Sequence, residues 1–228
     1  MATIKSYAKP AELYRYRSLR NFDRELEAIE QKFLFCSAFN KLNDPMEGMF
    51  TPHRRLRLHD NYSAVIDSIF RNKTNIGICS FSEVNDNGPM WAHYAGDFTG
   101  ICIAYNLSRL LEAVEQDAAF VRVFYQETVP TASQPGPEEA KMILSYKNYG
   151  WRYEREWRMF GSPGQVPYTN ECVTRVYLGS RMTDKNHDLV TTKLRKLNID
   201  TQDMTIDKYS IGFETTSQSP TLPWAPPS

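Results

Sequence analysis

The chain lacks a surplus of charge. Lys plus Arg and Asp plus Glu each number 27, so no global field draws it to nucleic acid or to an anionic membrane. It also lacks any run of about 18 apolar residues, and the opening MATIKSYAKPAELYRYRSL holds no apolar leader core. Membrane spanning and secretion are therefore not expected, and a cytoplasmic protein is. Cysteine is sparse and scattered: Cys36, Cys79, Cys102 and Cys172 show no CxxC spacing and sit in apolar stretches such as KFLFCSAF and IGICSF. That is the setting of reduced core thiols rather than of a disulfide framework or a zinc site. His53, His59, His93 and His187 form no HxxxH or HxH pair, which argues against a zinc enzyme. GxxxxGK[ST], a GxGxxG after a strand and GxSxG are all missing, which removes P-loop, Rossmann and α/β-hydrolase chemistry.

What is present is an ordinary globular composition, 41% hydrophobic and 24% charged over 228 residues, enough for one sizeable core. Aromatic residues reach 13%. They suit either a β-rich core or a site that stacks planar rings, and composition leaves both open.

Hydrophobic periodicity predicts an alternation of short strands and helices. Residues 13–17, LYRYR, alternate as a strand with Tyr14 and Tyr16 on one face and Leu13, Arg15 and Arg17 on the other. A helix is expected over 22–31, strands over 33–37, 76–82 and 100–106, and helices over 60–71, 107–116, 138–147 and 188–198. MWAHYA reads as a short helix, and 120–126, 151–160 and 173–179 read as strands, the last two as hairpin-like neighbours. A further short strand is expected around 204–211. No internal repeat or clean βαβ rhythm appears. The fold class predicted is α+β: a single domain, residues 1–214, with a split or highly curved, mainly antiparallel sheet core flanked by helices. The Pro-, Ser- and Thr-rich residues 215–228 read as a flexible tail.

Four sequence blocks carry most of the polar character: LYRYRSL (13–19), NDPMEG (43–48), CSFSEVNDNGPMWAHYAGDFTGICIAY (79–105), and YEREWR (153–158) followed by VYLGSR (176–181). Together they resemble a bacterial domain-of-unknown-function family, number 2971, over about residues 13–182. That resemblance implies no activity, so the residues themselves must suggest one.

If YEREWR is a strand, Glu154, Glu156 and Arg158 share one face, with the two carboxylates about 7 Å apart. Such a pair needs a compensating cation or ligand hydroxyls. The structural explanation is an ion pair with Arg15, Arg17 or Arg158. The functional one is that Glu154-x-Glu156 resembles the Glu-x-Glu element of ADP-ribosyltransferases, in which a carboxylate favours the oxocarbenium-like transition state as nicotinamide leaves. Ser80-x-Ser82 resembles the Ser-x-Ser element that supports the nicotinamide ribose in those enzymes, and Arg15 or Arg17 on an early strand would hold the diphosphate. By this resemblance NAD is the expected substrate, with Glu156 catalytic, Glu154 orienting, and Trp91 or Tyr94 near nicotinamide. A macromolecular acceptor remains to be named, and phage defence or stress response is the expected setting.

Asn43 and Asp44 read either as an Asx turn or as readers of a ligand edge, and His93 as a structural residue or a general acid–base. Two rival functions stand beside the transferase. One is a metal-dependent phosphodiesterase or nuclease with Asp44, Glu47, Glu154 and Glu156 around Mg²⁺. The other is a non-catalytic ligand-sensing or protein-interaction module that uses the tail. The basic run HRRLRLHD, 53–60, is the one dense cationic cluster, most simply a solvated face.

Overall fold

The computed structural model describes residues 9–114 and 118–215. Ten strands build one sheet: β1 Glu12–Arg17, β2 Phe33–Ala38, β3 Gly77–Ser82, β4 Ile101–Asn106, β5 Ala119–Arg122, β6 Glu156–Gly161, β7 Gly164–Pro167, β8 Val173–Leu178, β9 Asp200–Asp207 and β10 Ser210–Thr215. The helices are α1 Phe22–Glu30, α2 Arg54–Arg57, α3 Tyr62–Thr74, α4 Gly88–Tyr94, α5 Leu107–Ala113, α6 Pro137–Ile143 and α7 Asp184–Lys196. Strand order is β7–β2–β3–β1–β4–β8–β9–β10, with β6 pairing β3 and β5 off that path. Within this sheet pairing is antiparallel except for β8 with β9, which α7 connects in parallel. The architecture is thus the expected α+β domain with a mostly antiparallel sheet. Among the described residues no helix is long and apolar enough to cross a membrane.

The sheet branches at β3. One edge of β3 carries β6 along its whole length, from Glu156 opposite Ser82 to Gly161 opposite Gly77. The other edge is shared, because β2 takes Gly77 and Ile78 while β1 takes only Ser82. β1 is held over its full length by β4, and β2 departs to pair with β7, so the two strands diverge beside Cys79, Ser80 and Phe81. The sheet is split there.

Strand alternation then assigns the two faces. Leu13 lies opposite Tyr105 and joins Cys36, Cys79, Phe81, Ile101 and Ile103 in the main core, which α1, α5 and α7 cover. Tyr16 points the other way and packs with Met90 and Trp91 of α4, Ala104 and Tyr177. Two glycines permit the close crossing beside β4 and β8. A Cβ on Gly179 would stand 2.1 Å from the Phe98 carbonyl oxygen, and one on Gly100 would stand 2.3 Å from that of Arg17. Gly179→Ala is expected to cost about 3 kcal/mol by overpacking against backbone that cannot yield. Urea denaturation checks this, with Gly88→Ala, whose nearest neighbour atom is 3.9 Å away, as the neutral comparison.

Several expectations need correction. Residues 149–154 form a 3₁₀ turn, and Arg155 is left-handed at φ 47°, so the strand begins only at Glu156. β6 and β8 do not pair. The helix over 138–147 ends at Ile143, and Lys147 belongs to a short strand, Tyr146–Asn148, parallel to Phe124–Gln126. Residues 120–126 break at Val123, whose N–H donates to the Glu156 carbonyl, and the halves join different sheets. The strand near 204–211 is a hairpin of β9 and β10. Residues 216–228 of the tail lie outside the described residues.

Candidate functional site

A cavity of about 250 Å³ opens at the split. Six cationic side chains (Arg15, Arg17, Arg24, Lys41, Lys147 and Arg158) line it against three carboxylates, Glu47, Glu154 and Glu156. An anionic ligand, or one with an anionic end, fits that balance.

The carboxylates cluster on one face. Glu156, at the start of β6, receives Arg158 Nε on Oε1 at 2.9 Å and Arg158 Nη2 on Oε2 at 3.0 Å, the two-pronged geometry that a guanidinium offers a carboxylate. Residues two apart on one strand share a face, so the sequence builds this pair locally. Arg158 is fully buried and continues to Glu47, with Nη1 and Nη2 at 2.9 and 2.6 Å from its oxygens, and to the Leu144 carbonyl. Lys147 Nζ joins Glu154 Oε2 at 2.5 Å and Glu156 Oε2 at 3.0 Å. The Tyr94 hydroxyl donates to Glu154 Oε1 at 2.5 Å, and the Tyr125 hydroxyl accepts from the Glu156 N–H.

These partners separate the two carboxyls electrostatically. Burial alone would raise Glu156, but Arg158 and Lys147, with a hydrogen bond from Ser80, bring it down to about 2. Glu154 is raised by burial and by neighbouring Glu156, which Lys147 and Tyr94 only partly offset. One carboxyl is held well below its ordinary value and the other is displaced above it.

The second cluster lies on the other face, where Arg15 and Arg17 alternate with Tyr14 and Tyr16. Arg15 is 4% exposed, lies over the Phe81 ring at 5.7 Å, and its Nε has no hydrogen-bond partner. Arg17 Nε lies 2.9 Å from Glu25 Oε1, an ion pair without a well-directed hydrogen bond. Glu25, from α1, is the carboxylate shared by both arginines, which hold it below its ordinary value despite burial. The split joins the faces: Glu156 faces Ser82, and Ser82 faces Tyr14, on three neighbouring strands, so Glu156 and Arg15 begin about 10 Å apart at the backbone.

Of the residues singled out from sequence, Arg15, Arg17, Ser80, Ser82, Asn43, Tyr94, Glu154 and Glu156 line this cavity. Ser82 donates to the Glu154 carbonyl at 2.7 Å, which anchors the turn before β6. Asp44, Trp91 and His93 do not line it. Asp44 accepts from the Met46 N–H in an Asx turn, Trp91 is fully buried with Nε1 on the Asn85 carbonyl, and His93 is exposed on α4 beside Tyr153. Sequence reasoning missed Lys147, Tyr125 and Glu25, each delivered by a separate element: the short strand 146–148, the strand 124–126 and α1. It also left Glu47 to a metal, whereas Glu47 is bound to Arg158. Lys73, buried among Phe39, Phe50 and Phe70, donates to the Gly48 carbonyl at 2.8 Å and steadies the turn that carries Glu47. Among the described residues no group of three His, Cys, Asp or Glu side chains is suited to a metal ion.

The fold and site define a mixed α+β protein with a cation-rich cavity bored through a split in its sheet. Residues 90–159 match the model of a family described as Protein of unknown function (DUF2971), the family that the sequence blocks resemble. The matched segment carries Tyr94, Lys147, Glu154, Glu156 and Arg158, the acidic half of the site. No curated protein and no solved structure matches the chain.

Proposed function

We propose that the protein binds NAD at the split and cleaves its nicotinamide–ribose bond, transferring ADP-ribose to an acceptor or to water. The observation that carries this reading is the convergence of Glu156, the Ser80 and Ser82 strand and the β1 arginines on one cavity. In this reading the C1′–N bond breaks and nicotinamide leaves with the electron pair. The Glu156 carboxylate, fixed as an anion, stabilises the oxocarbenium-like ribose. Glu154 accepts the proton of the acceptor as its nucleophilic atom bonds to C1′. Arg15 and Arg17 hold the diphosphate.

A cavity of about 250 Å³ is smaller than the roughly 300–1,000 Å³ that encloses a drug-sized ligand. The nicotinamide-ribosyl half therefore sits inside, and the adenosine end projects past exposed Arg24, Phe35 and Lys41 at the rim.

The test is nicotinamide release from NAD by the purified protein and by Glu156→Gln, with and without cell extract as acceptor source, in EDTA. Release that falls to background in the variant is the expected result. A second reading, an anion sensor without turnover, is favoured by the engagement of both Glu156 oxygens by Arg158 and Lys147. NAD or ADP-ribose binding that depends on Arg15, with no release, would select it. The nuclease reading needs carboxylates open to Mg²⁺, and here Arg158 and Lys147 neutralise them.

A further inference from the structure

The arginine-rich face of the cavity contains one charge too many. Arg15 and Arg17 share a single buried carboxylate, Glu25, and Arg15 Nε has no partner. An uncompensated buried cation is costly, so a nearby group that can become an anion is favoured to do so. One such group in the cavity wall is Cys79 of β3, 1% exposed, which interacts with the Arg15 charge. Cys79 does not stand alone. The last bridged pair of β2 and β3 is Ser37 with Ile78, and the next residue on each strand is a free thiol, Cys36 on β2 and Cys79 on β3, both in the same core cluster. Bridged residues on antiparallel strands have Cα atoms about 4.5–5.5 Å apart, so the next residues out start close to the roughly 4.4–6.8 Å range that a disulfide spans.

We propose that Cys36 and Cys79 are a peroxide-reactive thiol pair, in which Cys79, in the cavity wall beside Arg15 and Arg17, attacks and Cys36 resolves. Burial would push the Cys79 thiol up, but the Cys36 thiol, Arg15 and Arg17 together hold it below its ordinary value. Cys36 moves the opposite way, through its interaction with Cys79 and its burial. The two thiols are thus displaced in opposite directions, which favours attack by Cys79 and resolution by Cys36.

In the first step the Cys79 thiolate bonds to one oxygen of hydrogen peroxide, the O–O bond breaks, and hydroxide leaves to be protonated to water. Cys79 is then a sulfenic acid. Cys36, giving up its proton, attacks the Cys79 sulfur, the S–O bond breaks, and a second water leaves. Two thiols and one peroxide become one disulfide and two waters. Access through the cavity alone restricts the oxidant to a small molecule. The product ties β2 to β3 where the sheet splits.

Cys102 and Cys172, each fully buried, are internal comparators in the same molecule. Reduced protein is titrated with hydrogen peroxide, quenched, digested and read by mass spectrometry. A peptide linking Cys36 to Cys79 is expected to form at least tenfold faster than any modification of Cys102 or Cys172. Cys36→Ser is expected to accumulate sulfenic acid at Cys79, trapped by dimedone, and Cys79→Ser to give no adduct at Cys36. Oxidation of all four thiols at one rate, absence of the 36–79 link, or trapping at Cys36 instead would each overturn the proposal.

Discussion

Arg158→Met is expected to remove about 3–5 kcal/mol of stability at neutral pH, the usual scale for breaking a buried charge cluster by deleting one partner. Arg158 is fully buried and makes five hydrogen bonds, to Glu156, Glu47 and the Leu144 carbonyl. Methionine fills most of the same space but donates nothing, so two carboxylates and a carbonyl are left in a site 0–8% exposed, with Lys147 still paired to both carboxylates. The intact cluster adds little net stability over an apolar trio, because desolvation of the charges opposes their attraction. The loss on removal arises from the charges left behind. Arg158→Lys keeps the charge but cannot reach two carboxylates through parallel N–H pairs, so an intermediate loss is expected. Guanidinium denaturation with unchanged slope reads both variants. A loss under about 1 kcal/mol for Arg158→Met would mean that water reaches the cluster, and would end the picture of a fixed Glu156 anion.

How much of this was legible beforehand depended on the distance in sequence over which each interaction is made. Local alternation assigned the faces of β1 correctly, because a strand side chain has only two directions and Leu13, unlike Tyr14, is unambiguously core. The same rule found that Glu156 and Arg158 share a face. It failed one residue earlier. Arg155 sits in a left-handed conformation, which no residue pattern in YEREWR signals, and the 3₁₀ turn before it still delivers Glu154 to the same lysine. Lys147 was hidden for a different reason. Helical spacing from Glu138 onward is satisfied up to Ile143, and what ends the helix is tertiary: residues 146–148 pair with 124–126. The split could be expected only as a class, since its cause is the competition of β1 and β2 for one edge of β3, a matter of sheet order rather than of any single strand's composition. Trp91 shows the limit of reading aromatics from sequence. Its indole completes a core cluster with Tyr16 and Phe98, and it was the neighbouring Tyr94 that reached the site.

The two carboxyls of the site are expected to give stability opposite dependences on pH. Glu156 has a folded value of about 2 against an ordinary 4.5, so its contribution is fully present above 4.5 and is lost as pH falls towards 2. That difference corresponds to roughly 3 kcal/mol, since each tenfold change in proton affinity is worth about 1.4 kcal/mol. Glu154 is displaced the other way, so its contribution is present below 4.5 and is lost as pH rises through its raised folded value. Acidification from neutrality should therefore first relieve the carboxylate crowding at Glu154 and then, below 4.5, dismantle the Glu156 pairing. Denaturation midpoints measured from pH 7 to pH 2 separate the two. Glu156→Gln is expected to flatten the loss below 4.5, and Glu154→Gln to leave that loss intact while removing the gain above it. Glu25 and Glu83 are also held low and add to the acid slope of every variant, so the difference between variant and parent is the quantity to read. An acid slope in Glu156→Gln equal to the parent's would show that Arg158 and Lys147 do not hold that carboxylate ionised. The transition state of the proposed reaction would then lack the anion that is meant to stabilise it.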